Sequence, residues 1–299
     1  MTIAHVRSPS PEAPLSQHVP VAFQAAFPAA ALLWLYRPPL RYLLEVWFFN
    51  GSASICVLVP FVSAGIVYAR RHRLREIVAA PSSWGVCLTA LAVTTVALVS
   101  AIGDHPSVIA LIAVAVLPVA IAGIVVAMWG TTKLRPLLFP LLFLLLMMPV
   151  PPSSAIDLPL QLASARVSES VLRAFGVPVA RLGTLLVMGE KQTLAVAPEC
   201  DGVRSASAML VLATLYAYLL EGSFSRRLLL AGLGVPFAYV GNIVRISFEA
   251  SAIWLVPHWI EPRISSFDFW VGLVVFLIPM ALLFGAAGAL GCRRFRKMG

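Results

Sequence analysis

Long apolar runs without a single charged side chain dominate this 299-residue sequence. Six of these runs are each about as long as a helix must be to cross ~30 Å of hydrocarbon. They cover residues 13–36, 46–69, 77–103, 105–132, 137–156 and 269–292. Two further apolar segments, about 202–220 and 228–256, are interrupted by Arg204, Arg245 and Glu249. The pattern predicts an all-α polytopic membrane protein with about eight transmembrane helices.

Composition supports a membrane protein and argues against a water-soluble globular enzyme. Only 12% of the residues are charged, and the mean hydropathy is +0.91. Ordinary soluble domains have about twice that charged fraction. A charge inside a membrane span is costly and usually faces the bundle interior, so the three interrupting residues are the first candidates for a functional site.

Basic residues predict the orientation of the chain. Of the 22 Lys and Arg residues, 13 lie in the N-terminal segment and in the loops that follow every second span. These are Arg7, Arg70, Arg71, Arg73, Arg75, Lys133, Arg135, Arg226, Arg227, Arg293, Arg294, Arg296 and Lys297. Because cytoplasmic loops carry the excess of basic residues, we expect these loops and both termini in the cytoplasm. The net charge of +9 is thereby assigned to membrane orientation, and no nucleic-acid partner is predicted.

The predicted domain organisation is simple. Residues 1–20 are rich in Pro and Ser and are expected to be disordered, residues 21–291 form one integral-membrane domain, and residues 292–299 are a basic cytoplasmic tail. No removable signal peptide is predicted, because no basic region is followed directly by an apolar core and a cleavage site.

Residues 151–199 form the one long loop and are predicted to be extracytoplasmic. An apolar stripe recurs at helical spacing in this loop, whereas charged residues fall on another face, which predicts an amphipathic helix at the membrane interface. The stripe comprises Leu160, Ala163, Val167, Val171 and Ala174, and the charged residues are Arg166, Glu169 and Arg173. Residues 184–188 and 193–196 predict a short hairpin that leads into Cys200.

Three reactive side chains are predicted at the same depth near the outer surface. Cys200 precedes the sixth span, Arg245 lies in the outer part of the seventh, and Asp268 begins the last. A cysteine thiolate is a good nucleophile and is favoured near a helix N-terminus or a guanidinium group, which Arg204 or Arg245 supplies. Arg245 is equally a candidate for stabilising an oxyanion.

Each candidate also has a structural interpretation. Arg245 can pair with Glu249 at i, i+4, and Asn242 can either position Arg245 or bond between helices. Asp268 can be a helix N-cap, and His258 lies among tryptophans typical of an interfacial aromatic belt. Cys56, Cys87, Cys200 and Cys292 have neither paired nor metal-type spacing, so no disulfide framework, metal site or cofactor is predicted.

Three motifs in the second half resemble the exosortase/archaeosortase family of polytopic membrane proteins. They are APECDGVRSA at 197–206, VGNIVRI at 240–246 and FDFWVGLVVF at 267–276, which follow the predicted hairpin. The resemblance implies a cysteine peptidase or transpeptidase that acts on exported proteins with a C-terminal sorting signal. Such a signal consists of a short motif, a transmembrane helix and a basic tail. The enzyme cleaves it through an acyl-thioester that is resolved onto an acceptor.

The resemblance assigns Cys200 as the nucleophile and Arg245 as the proton donor or stabiliser. The third catalytic position of the family, usually His or Arg about four residues before a Gly in the last span, falls on Asp268, with His258 as a possible substitute. The residue after the cysteine also departs from the usual Ser or Ala and is Asp201. These departures leave open a non-catalytic assembly protein. A transporter or channel lined by Arg204, Arg245 and Glu249 is the alternative from another class.

Overall fold

The computed structural model describes residues 30–49, 55–148, 154–189, 192–196, 202–256, 264–292 and 294–296. The structure is helical throughout, apart from one small sheet. The helices are α1 Arg37–Phe49, α2 Leu58–Ala69, α3 Arg71–Glu76, α4 Ser83–Ile102, α5 Pro106–Trp129, α6 Thr131–Phe143, α7 Ser154–Ala174, α8 Val203–Leu219, α9 Phe224–Leu255, α10 Ile264–Val275 and α11 Leu277–Ala289. The strands are β1 Val179–Leu182, β2 Leu185–Met188 and β3 Gln192–Ala195.

The chain is a polytopic helical membrane protein. Within the described residues, four helical segments are long and apolar enough to cross a bilayer: α4, α5, α9 and the segment Trp270–Ala289, which includes the second half of α10 and all of α11. The shorter apolar helices are Ile55–Ala69, which includes α2, and α8. The predicted total of about eight spans stays a prediction. Residues 1–29, which include most of the first predicted span, lie outside the described part of the chain.

Two predicted spans differ from the helices that form. The run 46–69 is not one helix, because α1 ends at Phe49 and α2 begins only at Leu58. In the run 137–156, α6 begins at Thr131 and so includes two residues predicted to lie in a cytoplasmic loop, Lys133 and Arg135; it continues as a 3-10 turn to Met147. A count of charge-free residues does not detect helix ends, because a helix can include charged residues at its start and can end within an apolar run.

Helices α4 and α5 form a closely packed pair joined by a short turn. A methyl group at Gly85 would clash with the backbone nitrogen of Ala127, and one at Gly123 would clash with Thr89 Oγ1. The two glycines therefore let the helix backbones approach more closely than side chains would allow, as small residues commonly do in membrane bundles.

The long helix α9 is the centre of the second half and contacts α7, α8, α10 and α11. Its contact with α8 uses Gly234, whose Cα faces Met209 and Ala213 so closely that a methyl group would lie 2.7 Å from Ala213 Cβ. Gly241 packs against Pro279 of α11 in the same way. Small residues on α9 thus allow it to pack closely on both α8 and α11.

Between α7 and α8 the chain forms a three-stranded antiparallel sheet in the order β1-β2-β3. The predicted hairpin is present as β2 and β3, in which Leu186 pairs with Leu194. Strand β1 was not predicted, and it pairs with β2 so that Val179 lies opposite Met188. The sheet packs through Leu186 and Met188 into a buried cluster with Ile246 of α9.

The predicted amphipathic helix is present as α7, but its buried face differs from the prediction. Val167 of the apolar stripe is 38% exposed, whereas Ser164, Ala165 and Ser168 are completely buried. The reason is that α7 packs on α9, and small side chains permit the closer helix contact. Val167 is left toward the outside, whereas Leu172 is buried.

Candidate active site

The candidate site is built around three residues on one face of α9. Asn242, Arg245 and Glu249 follow one another at i, i+3 and i+7, so they lie along the same side of the helix. Asn242 is 4% exposed and Glu249 is 6% exposed, so both polar side chains face the interior of the bundle. Buried polar residues within a transmembrane helix are costly and mark functional sites in many membrane proteins.

Arg245 and Glu249 form an ion pair. Arg245 Nε donates a hydrogen bond to Glu249 Oε1 at 2.9 Å. The structural interpretation of Arg245 is therefore confirmed as a contact. The same contact also orients the guanidinium group, because a carboxylate one turn away fixes the direction of the Nε–H bond.

Helix α10 covers the guanidinium group of Arg245. A methyl group at Gly272 would lie 3.7 Å from Arg245 Cζ, an ordinary van der Waals distance, so the guanidinium lies next to the α10 backbone. Asp268 lies one helical turn before Gly272 in α10. The N-cap interpretation of Asp268 is wrong, because α10 begins at Ile264 and Asp268 is therefore inside the helix.

The segment that follows Cys200 enters the same region. Gly202 has φ 88° and precedes the first residue of α8, Val203. Its carbonyl oxygen accepts the first helical hydrogen bond, from the amide of Ala206 at 2.8 Å. A methyl group at Gly202 would lie 3.2 Å from Asn242 Nδ2, so this turn of the chain packs directly on α9.

Arg204 is exposed in the first turn of α8. Helix α8 begins at Val203, after Gly202 in a left-handed conformation, and the position of Arg204 relative to Cys200 lies outside what the described residues show. Arg204 contributes its backbone carbonyl to a hydrogen bond from Ser207 Oγ at 2.8 Å. Its side chain forms no ion pair with any residue that the structure describes.

The structure thus brings together Gly202, Asn242, Arg245, Glu249 and Gly272, whereas two predicted residues cannot be placed. Cys200 and His258 lie outside the described residues. The two glycines were not predicted as site residues. For Gly202, the signal in the sequence was a glycine directly before an apolar helix. Within the described chain, no group of three or more His, Cys, Asp or Glu side chains has an arrangement that would hold a metal ion.

Comparison with known families identifies the chain as a whole. The model of the transmembrane exosortase family matches residues 47–285, which is most of the sequence. The match includes α9 and α10 as well as the turn before α8. Comparisons with curated proteins and with solved structures give no match. On the match over residues 47–285, this chain belongs to the transmembrane exosortase family.

Proposed function

We propose that the chain is a membrane-embedded cysteine peptidase or transpeptidase that cleaves C-terminal sorting signals of exported proteins. The observation that carries the proposal is the meeting of three segments at one end of the bundle. Gly202, two residues after Cys200, packs on Asn242, and one turn further along α9 the guanidinium of Arg245 lies against Gly272 of α10. These are the segments whose motifs resemble those of the family.

In the proposed reaction, the Cys200 thiolate attacks the scissile carbonyl carbon of the substrate. The tetrahedral intermediate then collapses, the C–N bond breaks, and the leaving amine takes up a proton while an acyl-thioester remains on Cys200. An acceptor amine or water attacks the thioester and regenerates the thiol. The N-terminus of α8, which begins at Val203, favours the thiolate through the positive end of its helix dipole.

Arg245 has the proposed role of stabilising the oxyanion or donating the proton. A positive charge fixed in advance stabilises negative charge that develops in the transition state without a cost of reorganisation. The ion pair with Glu249 and the contact with Gly272 support this role, because they restrict the guanidinium to one orientation. Asp268 or His258 takes the third position, as an orienting carboxylate or as a base.

The proposal includes the placement of the protein. It has about eight transmembrane helices in the bacterial inner membrane, with both termini in the cytoplasm and the site at the outer face. Its partners are exported proteins whose C-terminus carries a short motif, a transmembrane helix and a basic tail. The positive-inside distribution of the basic loops supports this orientation.

The decisive experiment replaces Cys200. We expect Cys200→Ala to abolish removal of C-terminal signals from exported proteins, because no nucleophile remains to form the thioester. The measurement is quantitative mass spectrometry of the C-terminal peptides of exported proteins in cells with the wild-type or the variant chain. Hydroxylamine-sensitive adducts on Cys200 in the wild-type protein would identify the acyl-enzyme directly.

Cys87→Ala is the matched control, because Cys87 is an exposed cysteine in α4, away from the segments that meet at the site. Its processing should equal that of the wild type. Equal processing by Cys200→Ala and wild type would contradict the proposed function. A wild-type chain without any processed protein or hydroxylamine-sensitive adduct would instead favour the non-catalytic assembly protein.

A further inference from the structure

Four segments that are distant in sequence meet at the opposite end of α8 from the candidate active site. Tyr218 lies in the last turn of α8, Arg70 between α2 and α3, Arg227 in the first turn of α9, and Arg296 near the C-terminus. Tyr218 is 16 residues from Gly202 along α8, which corresponds to about 24 Å at 1.5 Å per residue. This cluster is therefore distinct from the site around Arg245.

Backbone hydrogen bonds hold the C-terminal segment in the cluster. The amide of Glu221 donates to the carbonyl of Arg294 at 2.8 Å, and the amide of Arg296 donates to the carbonyl of Leu219 at 2.7 Å. Leu220 and Phe295 form an isolated antiparallel bridge between these bonds. The predicted basic tail that begins at residue 292 is thus joined to the turn between α8 and α9.

Tyr218 is buried, but its hydroxyl group has no hydrogen-bond partner among the described residues. The residue is 7% exposed, and its ring stacks on Phe139 with a centroid distance of 3.5 Å and an interplanar angle of 6°. The guanidinium of Arg70 lies 5.3 Å from the ring centroid, and its Nη1 donates to the carbonyl of Pro136 at 2.6 Å. A buried hydroxyl group without a hydrogen-bond partner destabilises the protein, so a ligand that forms a hydrogen bond there would be favoured.

Three arginine side chains, those of Arg70, Arg227 and Arg296, lie close enough to Tyr218 to act on it electrostatically. Arg227 Nε is itself buried and has no hydrogen-bond partner in the described part of the chain. None of the three arginines forms an ion pair with a described carboxylate, and Glu221 in the adjoining turn is exposed. Three like charges at the edge of an apolar bundle repel one another unless an anion lies between them.

We propose that Arg70, Tyr218, Arg227 and Arg296 form a binding site for the phosphate group of an anionic lipid. A phosphate accepts several hydrogen bonds from different directions, which suits arginine donors on three segments and a tyrosine hydroxyl. Basic pockets between transmembrane helices bind anionic headgroups in this manner. The aromatic rings of Phe295, which is 66% exposed, and Phe224, also exposed, provide apolar surface for an acyl chain beside the site.

The test uses the full-length protein purified in a neutral detergent. Thermal unfolding is measured during titration with phosphatidylglycerol, with phosphatidylcholine, and with inorganic phosphate. We expect phosphatidylglycerol to raise the unfolding temperature more than phosphatidylcholine, whose choline group offsets the phosphate charge.

Arg227→Gln should weaken the apparent affinity for phosphatidylglycerol by about tenfold or more, since it removes a charge-assisted hydrogen bond. Inorganic phosphate that gave the full stabilisation and displaced the lipid would assign the site to a soluble phosphate compound and overturn the lipid assignment.

Two further variants separate a bound phosphate from general surface charge. Arg294→Gln is the matched control, because it removes the same charge as Arg227→Gln from the segment that carries Arg296, and the Arg294 backbone carbonyl, not its side chain, holds that segment. Tyr218→Phe keeps the ring and removes the hydroxyl group. We expect it to raise the unfolding temperature without lipid, yet to reduce the lipid-dependent increase. An equal loss in Arg294→Gln and Arg227→Gln, or no lipid-dependent stabilisation of the wild type, would overturn the proposal.

Discussion

At the residue scale, Gly202 controls how closely the turn after Cys200 approaches α9. Its φ of 88° lies in the left-handed region that side chains disfavour, and the Asn242 amide occupies the space beside its Cα. Both constraints act at the same atom, so a single methyl group tests whether this contact positions Cys200.

Gly202→Ala is expected to destabilise the protein and to slow substrate processing. The left-handed conformation costs alanine about 1–2 kcal/mol, and its methyl group would lie 3.2 Å from Asn242 Nδ2. The measurements are the unfolding temperature in detergent and the rate at which processed C-termini accumulate in cells.

Gly272→Ala is the control at the other side of the site. Its methyl group would lie 3.7 Å from Arg245 Cζ, which is an ordinary contact, and Gly272 is within α10. This variant should fold at least as well as the wild type, because alanine favours a helix. If Gly202→Ala retained wild-type processing and stability, the contact with Asn242 would not position the catalytic segment.

At the element scale, the close contact between α8 and α9 depends on small residues. Gly234 of α9 lies against Met209 and Ala213 of α8, whereas Gly232, two residues earlier on the same helix, has open space around its Cα. In a membrane the apolar effect hardly separates buried from lipid-facing surfaces, so close backbone packing holds such helices together.

Gly232 and Gly234 of α9 should therefore respond oppositely to alanine. Gly234→Ala places a methyl group 2.7 Å from Ala213 Cβ, and we expect a loss of about 1–3 kcal/mol from overpacking. Gly232→Ala meets nothing within 4 Å, and we expect a gain of about 0.5–1 kcal/mol from helix propensity. Unfolding in detergent measures both changes, and equal responses of the two variants would contradict the packing of α8 on α9.

At the scale of the whole molecule, the two clusters lie at opposite ends of α8, and the predicted orientation assigns them to opposite sides of the membrane. Gly202 precedes the first residue of α8, next to Asn242, and Tyr218 lies in its last turn, among the arginines of the basic loops. The predicted positive-inside orientation then puts the sheet and the candidate active site outside.

Labelling with a membrane-impermeant maleimide tests this orientation. In a chain with Cys87→Ser and Cys200→Ser, the remaining cysteines, Cys56 and Cys292, are buried. We expect Ala180→Cys in the exposed part of β1 to react in intact spheroplasts, and His72→Cys in α3 to react only after permeabilisation. Labelling of both variants without permeabilisation, or the reverse pattern, would contradict the orientation.

The sequence predicted the parts of the fold that depend on local composition. The runs 77–103 and 105–132 correspond closely to α4 and α5, because an uninterrupted apolar segment in a bilayer must satisfy its backbone hydrogen bonds within one helix. Prediction was less exact for 46–69 and 137–156, where the helix ends differ from the limits of the charge-free runs. It also placed Arg37, Arg41 and Glu45 between two spans, although they belong to α1.

The candidate site was predicted in part. Arg245 and Asn242 were identified because a charge and an amide inside an apolar span are costly, and the motif around Cys200 pointed to its chemistry. The predicted N-cap alternative for Asp268 was wrong, because it depended on where a helix begins, and local patterns place helix ends poorly.

By itself, then, the sequence determined that this chain is a helical membrane protein of the exosortase type. It also identified the polar residues whose burial in an apolar span is costly enough to indicate a functional site. The reason is that hydropathy and rare intramembrane charges are properties of short segments. Only the tertiary structure decided that Gly202 lies on Asn242 and that Gly272 lies beside Arg245. It also brings arginines from three distant segments close to Tyr218. Contacts between residues so far apart depend on how closely the helices pack, and small residues allow that packing without leaving any periodic pattern along the chain.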